Sequence, residues 1–179
     1  MSFSFNAPSS TALLVLDIQR DFLRADGKRP VDQSRAPLLI ESVNAVIADA
    51  ESAGVLVIKI ENAFSRFSIA NILRRFSAIK GSSGALPDER VRQGGVSLAK
   101  ESKDAFSNPR LKSLLDSRGI RHLVVAGVHA NGCVRATVSS ALHRGYHVEV
   151  LVDGVASVSD MVTKRALAFM WKHGAFLAT

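Results

Sequence analysis

Cysteine occurs once in this chain, at Cys133. No disulfide can form within the chain, and thiol-rich zinc sites are excluded. A lone thiol fits a reducing, cytoplasmic setting. Long hydrophobic runs are missing too: no stretch approaches the roughly 18 apolar residues of a membrane helix. Residues 1–10 lack a basic segment followed by an apolar block, so no secretory signal is expected. Clustered charge is the third absence. Lys and Arg give a formal net charge of +7, but they are scattered from Arg20 to Lys172, with only short pairs such as Lys28-Arg29, Arg74-Arg75 and Lys164-Arg165. A nucleic-acid-binding chain concentrates such residues on one face. Neither a nucleic acid nor a membrane is therefore expected as partner; the scattered charge adds a mild attraction for anionic substrates.

What is present is a core. With 179 residues and 47% hydrophobic composition, the chain can bury one, and a single domain over 1–179 is expected. Residues 11–17 read as a buried strand ending on Asp17. A helix follows over 37–53 and ends at Gly54; residues 55–60 form a second strand. Residues 61–95 are the least regular part, with a short helix expected around Ile69, Ile72, Leu73 and Phe76 and a turn-rich section behind it. So long a connection reads as a lid or binding loop. A third strand over 96–100 ends on Lys100, and a helix capped by Asn108 or Ser107 runs from Pro109 to about Gly119. A fifth strand over 148–152 ends at Asp153-Gly154; a helix over 160–173 and a last strand over 175–178 close the chain. Strands alternating with helices imply right-handed parallel crossovers and a three-layer α/β/α sandwich.

The stretch from His122 to Gly145 organises the rest. Residues 122–127 are a Val-rich buried strand, and Val134, Val138, Ala141 and Leu142 recur at helical spacing. The turn between them delivers Cys133 to the start of a helix, whose partial positive charge lowers a thiol pKa. In an open parallel sheet ligands bind beyond the carboxyl ends of the strands. Asp17, Lys100 and Cys133 all lie at such ends. A carboxylate that takes the thiol proton, an ammonium that steadies both charges and a sulfur nucleophile form a coherent set. Asn62 and Phe64, just past the second strand, are candidate pocket residues. Asp21 reads as a helix cap, and His122, His143, His147 and His173 have no ligand spacing.

At these residues the chain resembles the isochorismatase-like cysteine hydrolases. Leu14-Val-Leu-Asp-Ile-Gln-Arg-Asp-Phe22 is similar to the family's opening motif. Lys100-Glu-Ser-Lys-Asp-Ala-Phe106 is similar to its lysine segment, and Gly127-Val-His-Ala-Asn-Gly-Cys-Val134, with Thr137, Ala141, Gly145-Tyr146 and Asp153 beyond, to its nucleophile region. The resemblance implies a six-stranded, mostly parallel sheet, an Asp17-Lys100-Cys133 triad and a thioester-type intermediate. It also implies a cis peptide between Val128 and His129, an oxyanion hole from the backbone N–H groups of His129 and Cys133, and a dimer or tetramer. Phe22, Asn62, Phe64, Val128 and His129 are the expected substrate contacts; His129 replaces the family's usual small residue or Thr.

Nicotinamide-deamidating members bind a metal through an Asp and His residues after the second strand. Here that place reads Ile60-Glu-Asn-Ala-Phe-Ser-Arg-Phe67, without histidine, so neither metal nor cofactor is expected. The expectation is a metal-independent hydrolase of a C–N bond in a small amide, carbamoyl or ureido substrate. Two alternatives stand beside it: vinyl-ether hydrolysis with Asp17 as acid, and a catalytically silent scaffold.

Overall fold

The computed structural model describes residues 3–5 and 7–179; Met1, Ser2 and Asn6, part of the opening segment read above for a secretory signal, lie outside the described residues. Six strands, β1 (Thr11–Leu16), β2 (Leu56–Asn62), β3 (Val96–Lys100), β4 (His122–Val128), β5 (His147–Ala156) and β6 (Phe176–Ala178), form one sheet in the order β3-β2-β1-β4-β5-β6. Every pairing is parallel, so the expected mostly parallel sheet is wholly parallel. Five helices accompany them: α1 (Arg20–Leu23), α2 (Ala36–Ser52), α3 (Pro109–Ser117), α4 (Arg135–His143) and α5 (Asp160–Lys172).

A strand covered on both faces cannot alternate apolar with polar residues. β1 is accordingly buried along its whole length. Ala12, Leu14 and Leu16 enter one core with Leu111 and Leu115 of α3, Val138 of α4 and Met170 of α5. Leu13 and Val15 enter the other, against Leu39, Val43 and Ile47 of α2. Each leucine so buried contributes about 2 kcal/mol, and β1 supplies three. The result is three layers, with α2 on one face of the sheet and α3, α4 and α5 on the other. Local caps fix the helix starts: the Arg110 N–H donates to the Asn108 side chain at 2.9 Å, and the Val162 N–H to Ser159 at 3.3 Å.

Two local expectations need correction. β5 does not stop at Asp153-Gly154 but runs on to Ala156, because a register shift opposite Val125 and Gly127 absorbs the turn residues inside the strand. Nor is there a helix over 69–76; the segment holds one 3-10 turn, Ile69–Asn71. Asn71 Nδ2 donates to the Ser65 and Arg66 carbonyls at 2.8 and 3.2 Å, and Arg75, Phe76 and Ala78 have φ of +53°, +54° and +49°. Local side-chain bonds and left-handed backbone both end helical propagation. Ile69, Ile72, Leu73 and Phe76 are exposed rather than packed into either core.

The chain leaves β1 outward through β2 and β3, then returns to β4 on the other side of β1. The reversal of direction between β1 and β4 is the switch point at which such sheets bind ligands.

Candidate active site

Four adjacent strands each present one polar side chain at their carboxyl ends. In sheet order these are Lys100 at the end of β3, Asn62 at the end of β2, Asp17 just past β1, and Cys133 in the turn after β4. Lys100 and Asn62 are register partners. β1 and β4 approach closely because Gly127 has no Cβ: with φ +126°, a Cβ there would stand 2.1 Å from the Leu16 carbonyl oxygen. Asp17 has φ +56°, in the left-handed region that aspartate tolerates better than most residues. Its N–H donates to the Ile60 carbonyl at 2.7 Å, and its own carbonyl accepts from the Gln19 N–H at 2.9 Å.

Lys100 Nζ donates to Asp17 Oδ2 at 2.8 Å and to Asn62 Oδ1 at 2.7 Å. Asn62 Nδ2 lies 3.6 Å from Cys133 Sγ. The Lys100 and Asp17 side chains are 0% and 1% exposed, which takes the pair out of solvent screening. Asp17 Oδ1 finds no partner at hydrogen-bond geometry among the described residues, which leaves it as the acceptor open to the Cys133 thiol. The three residues expected to meet therefore do meet, with Asn62 as a fourth member.

The charges of the cluster follow from burial. Loss of water pushes Asp17 above its ordinary carboxylate value, although Lys100 opposes the shift. Burial also pulls on the Lys100 ammonium, but Asp17 and Cys133 outweigh it and hold it above the usual lysine value. Burial, and then the charge of Asp17, pushes the Cys133 thiol up to about 12, with Lys100 and Asn62 pulling the other way. This corrects the expectation of a thiol acidified at a helix start. Cys133 does lie at a helix start, just past the break at Gly132 in the wide turn Ala130–Val134 that runs into α4, but its burial raises the thiol pKa all the same. The resting site is thus a neutral thiol beside the buried Asp17–Lys100 pair.

Two residues of the opening motif hold this arrangement. The Gln19 side chain, fully buried, donates to the Asn62 and Ala85 carbonyls at 2.8 and 2.7 Å and accepts from the Asn62 N–H at 3.0 Å. Asp21, read as a helix cap, instead accepts from the Ala78 N–H at 2.8 Å and pins the connection between β2 and β3. Sequence reasoning passed over Gln19, whose signal was its even spacing between Asp17 and Asp21.

Cys133 faces a narrow cavity of about 30 Å³, room for roughly two water molecules. The expected contacts Phe22, Asn62, Phe64, Val128 and His129 all line it, and the Val128–His129 peptide is cis. Its wall also carries Arg29, Arg74 and Lys103, which sequence reasoning did not find because nothing in their loop segments marks them. A metal of the kind held by nicotinamide-deamidating relatives does not fit here. The end of β2 and the residues just past it offer Glu61, Asn62 and Phe64, and three cations around the cavity would repel a divalent ion. Among the described residues, no three His, Cys, Asp or Glu side chains group as metal ligands.

The family model described as the isochorismatase domain matches residues 11–179. The ureidoacrylate amidohydrolase RutB of Klebsiella pneumoniae is 29% identical over 194 residues, covering 94% of this chain and 82% of that protein. The N-carbamoylsarcosine amidase of Thermoplasma acidophilum superposes with a TM-score of 0.82 at 26% identity, over 94% of this chain and 95% of that one. The pyrazinamidase of Pyrococcus horikoshii, solved in complex with zinc, does so with a TM-score of 0.84 at 25% identity, over 95% and 99%.

Proposed function

The chain belongs to the isochorismatase family, and from that premise we propose that it is a metal-independent cysteine hydrolase cleaving a C–N bond of a small amide, carbamoyl or ureido compound. The observation that carries this reading is the buried cluster at the switch point, where Asn62 bridges Lys100 and Cys133 beside Asp17. Relatives named ureidoacrylate amidohydrolase and N-carbamoylsarcosine amidase support that bond type.

A thiol near pKa 12 is not a standing nucleophile at neutral pH. It becomes one when it transfers its proton as it attacks. Asp17, made more basic by burial, accepts that proton as Cys133 Sγ adds to the carbonyl carbon. The negative charge passes to the carbonyl oxygen, for which the backbone N–H groups of His129 and Cys133 are the assigned donors; each such donor is worth roughly 3 kcal/mol. Collapse breaks the C–N bond, and Asp17 returns the proton to the departing nitrogen. Water then attacks the thioester-type intermediate and gives a proton to Asp17. The acid leaves, and the sulfur recovers its proton. Lys100 stays an ammonium throughout, keeps Asp17 ionised between transfers and holds Asn62 against the sulfur.

The exposed apolar run of Phe67, Ile69, Ile72 and Leu73 beside the cavity supports a homo-oligomer, a dimer or tetramer, with this segment at the contact. A free, oxidisable thiol suits a reducing, cytoplasmic setting, with one domain carrying the whole site. A screen of small amides and ureido acids for ammonia release, with Cys133→Ser as control, tests the assignment. Release by the wild type and none by the variant is the expected result.

A further inference from the structure

Away from the catalytic end of the sheet, β5 carries a carboxylate where its row of the sheet is otherwise apolar. Register sets Leu13 beside Val124, Val124 beside Glu149 and Glu149 beside Phe176, one row on the face where α2 packs. Two residues earlier the same face holds a second row, Thr11, His122 and His147. No helix residue lines the space in front of these rows; Phe3 and Phe5, packed edge-on with ring centroids 4.8 Å apart, supply the cover. They leave a cavity of about 390 Å³, a size usual for small-molecule sites and more than ten times the space at Cys133. β4 spans His122–Val128, so roughly 20 Å of strand separates this cavity from the turn that holds Cys133.

Glu149 is half-buried there and makes no hydrogen bond or ion pair among the described residues. Loss of water pushes its carboxyl above the ordinary glutamate value, and His122 is the charge that opposes the shift. The His122 and His147 rings stack beside it, with centroids 5.0 Å apart and planes 17° from parallel. A carboxylate that gives up hydration between Val124 and Phe176 and gains no donor in return is a cost to the fold. A ligand that brought the donor would remove it. The lining holds no Lys or Arg, although the chain has a formal net charge of +7 and cations ring the cavity at Cys133.

We propose that this cavity is a second binding site, distinct from the one at Cys133, for a small flat aromatic cation, an aryl amidinium or arylmethylammonium. Its charge pairs with Glu149, and its ring packs against Phe3, Phe5 and Phe176. An amidinium meets a carboxylate through two parallel N–H donors. The faces of the phenyl rings attract the same positive charge, and their area takes the ligand's ring out of water. An anion finds no Lys or Arg here and is repelled by Glu149. The site is independent of which bond Cys133 attacks.

Calorimetric titration of benzamidine at about pH 8, where an ordinary imidazole is neutral, tests the site. One molecule should bind per chain with Kd below about 1 mM, and benzamide, its neutral isostere, about tenfold more weakly. Higher salt should narrow that gap. Glu149→Gln should erase the gap, and Phe176→Ala should weaken both compounds. Both side chains reach solvent, so both variants should fold. Cys133→Ser should bind benzamidine as the wild type does, which separates this site from the catalytic cavity. Absence of benzamidine binding overturns the proposal, as do equal affinity for benzamide, binding that Glu149→Gln leaves unchanged, or binding lost in Cys133→Ser. If Glu149→Gln instead sediments as a smaller species than the wild type and neither binds benzamidine, the carboxylate serves a subunit contact and the proposal falls.

Discussion

The amide nitrogen of Asn62 stands 3.6 Å from the sulfur of Cys133. Its oxygen accepts from Lys100 at 2.7 Å, so one short side chain spans the gap between ammonium and thiol. That amide is a donor to the sulfur and lowers the thiol pKa against the larger effect of burial. Asn62 is not held by its own rotamer alone. Gln19 clamps its main chain from both sides, with two buried hydrogen bonds at 2.8 and 3.0 Å, and its amide also donates to the Ala85 carbonyl at 2.7 Å.

Gln19→Ala should therefore act on the chemistry through Asn62. It leaves the Asn62 N–H and two carbonyls without partners, a penalty of about 1–3 kcal/mol each if fully unmet. We expect a fall in melting temperature together with a kcat drop of about tenfold and little change in KM. Asn62→Leu removes the bridge itself and should lower kcat about 100-fold while the fold persists. Steady-state kinetics beside thermal melts separate the two. A kcat unchanged in both variants would remove Asn62 from the reaction.

Replacing Cys133 discriminates amide hydrolysis through the thiol from acid cleavage by Asp17. Cys133→Ala should fold, since it only trims a small buried side chain, and should lose activity by about 1000-fold or more. Vinyl-ether cleavage by acid from Asp17 would survive this change largely intact. An electrospray mass of the wild type quenched during turnover should show the acyl adduct on Cys133 alone; survival of activity in the variant would reject the thiol mechanism.

Much of this arrangement was legible in the sequence, and the reasons are physical. β1 and β4 are unbroken apolar runs because both sheet faces are covered, and in a parallel sheet the residues ending such runs converge on one edge. Asp17, Lys100 and Cys133 could be listed as candidates from their places at or just past strand ends, and the resemblance of their flanking motifs to the family singled them out as a set. The protonation of Cys133 could not, because burial depends on what the other three strand ends place around the sulfur. Arg29, Arg74 and Lys103 were equally hidden: they come from three separate loops, and Arg74 reaches the cavity through the connection between β2 and β3, which is fixed by the tertiary bond from Ala78 to Asp21. The apolar spacing at Ile69 to Phe76 suggested a helix; the left-handed residues Arg75, Phe76 and Ala78 deny it.

The close approach of β1 to β4 is a separate, structural prediction. Gly127→Ala would press a Cβ to 2.1 Å from the Leu16 carbonyl oxygen in a backbone at φ +126°. Neither strand can yield without moving Asp17 or the turn holding Cys133. A destabilisation above about 3 kcal/mol, or loss of soluble protein, is expected in denaturant titration. An alanine variant of wild-type stability would contradict the register described here.

The donor set around the cavity predicts indifference to metals. Dialysis against a chelator should leave the rate unchanged, and added zinc should inhibit, if it acts at all, by capturing Cys133. A rate that falls on chelation and returns with a divalent ion would overturn the metal-independent reading.

The pH profile tests the direction of proton transfer. As base, Asp17 must be ionised. Its pKa is raised by burial above the ordinary 3.8, so kcat/KM should fall on the acid side, about tenfold per pH unit, with a midpoint above that value. On the alkaline side Lys100 is held above the usual lysine pKa of 10.5 and the Cys133 thiol ionises only at about 12. No falling limb should appear below about pH 10. Alkylation of Cys133 by iodoacetamide should be slow at neutral pH and keep rising, without a plateau, through pH 10. Slow labelling near pH 7 is thus a property of the buried thiol and no sign of a silent scaffold. If Asp17 worked instead as an acid, the profile would invert, since its protonated form would be the active one. Activity that climbs as pH falls from 7 to 5 would exchange its role from base to acid, and with it the bond the enzyme breaks.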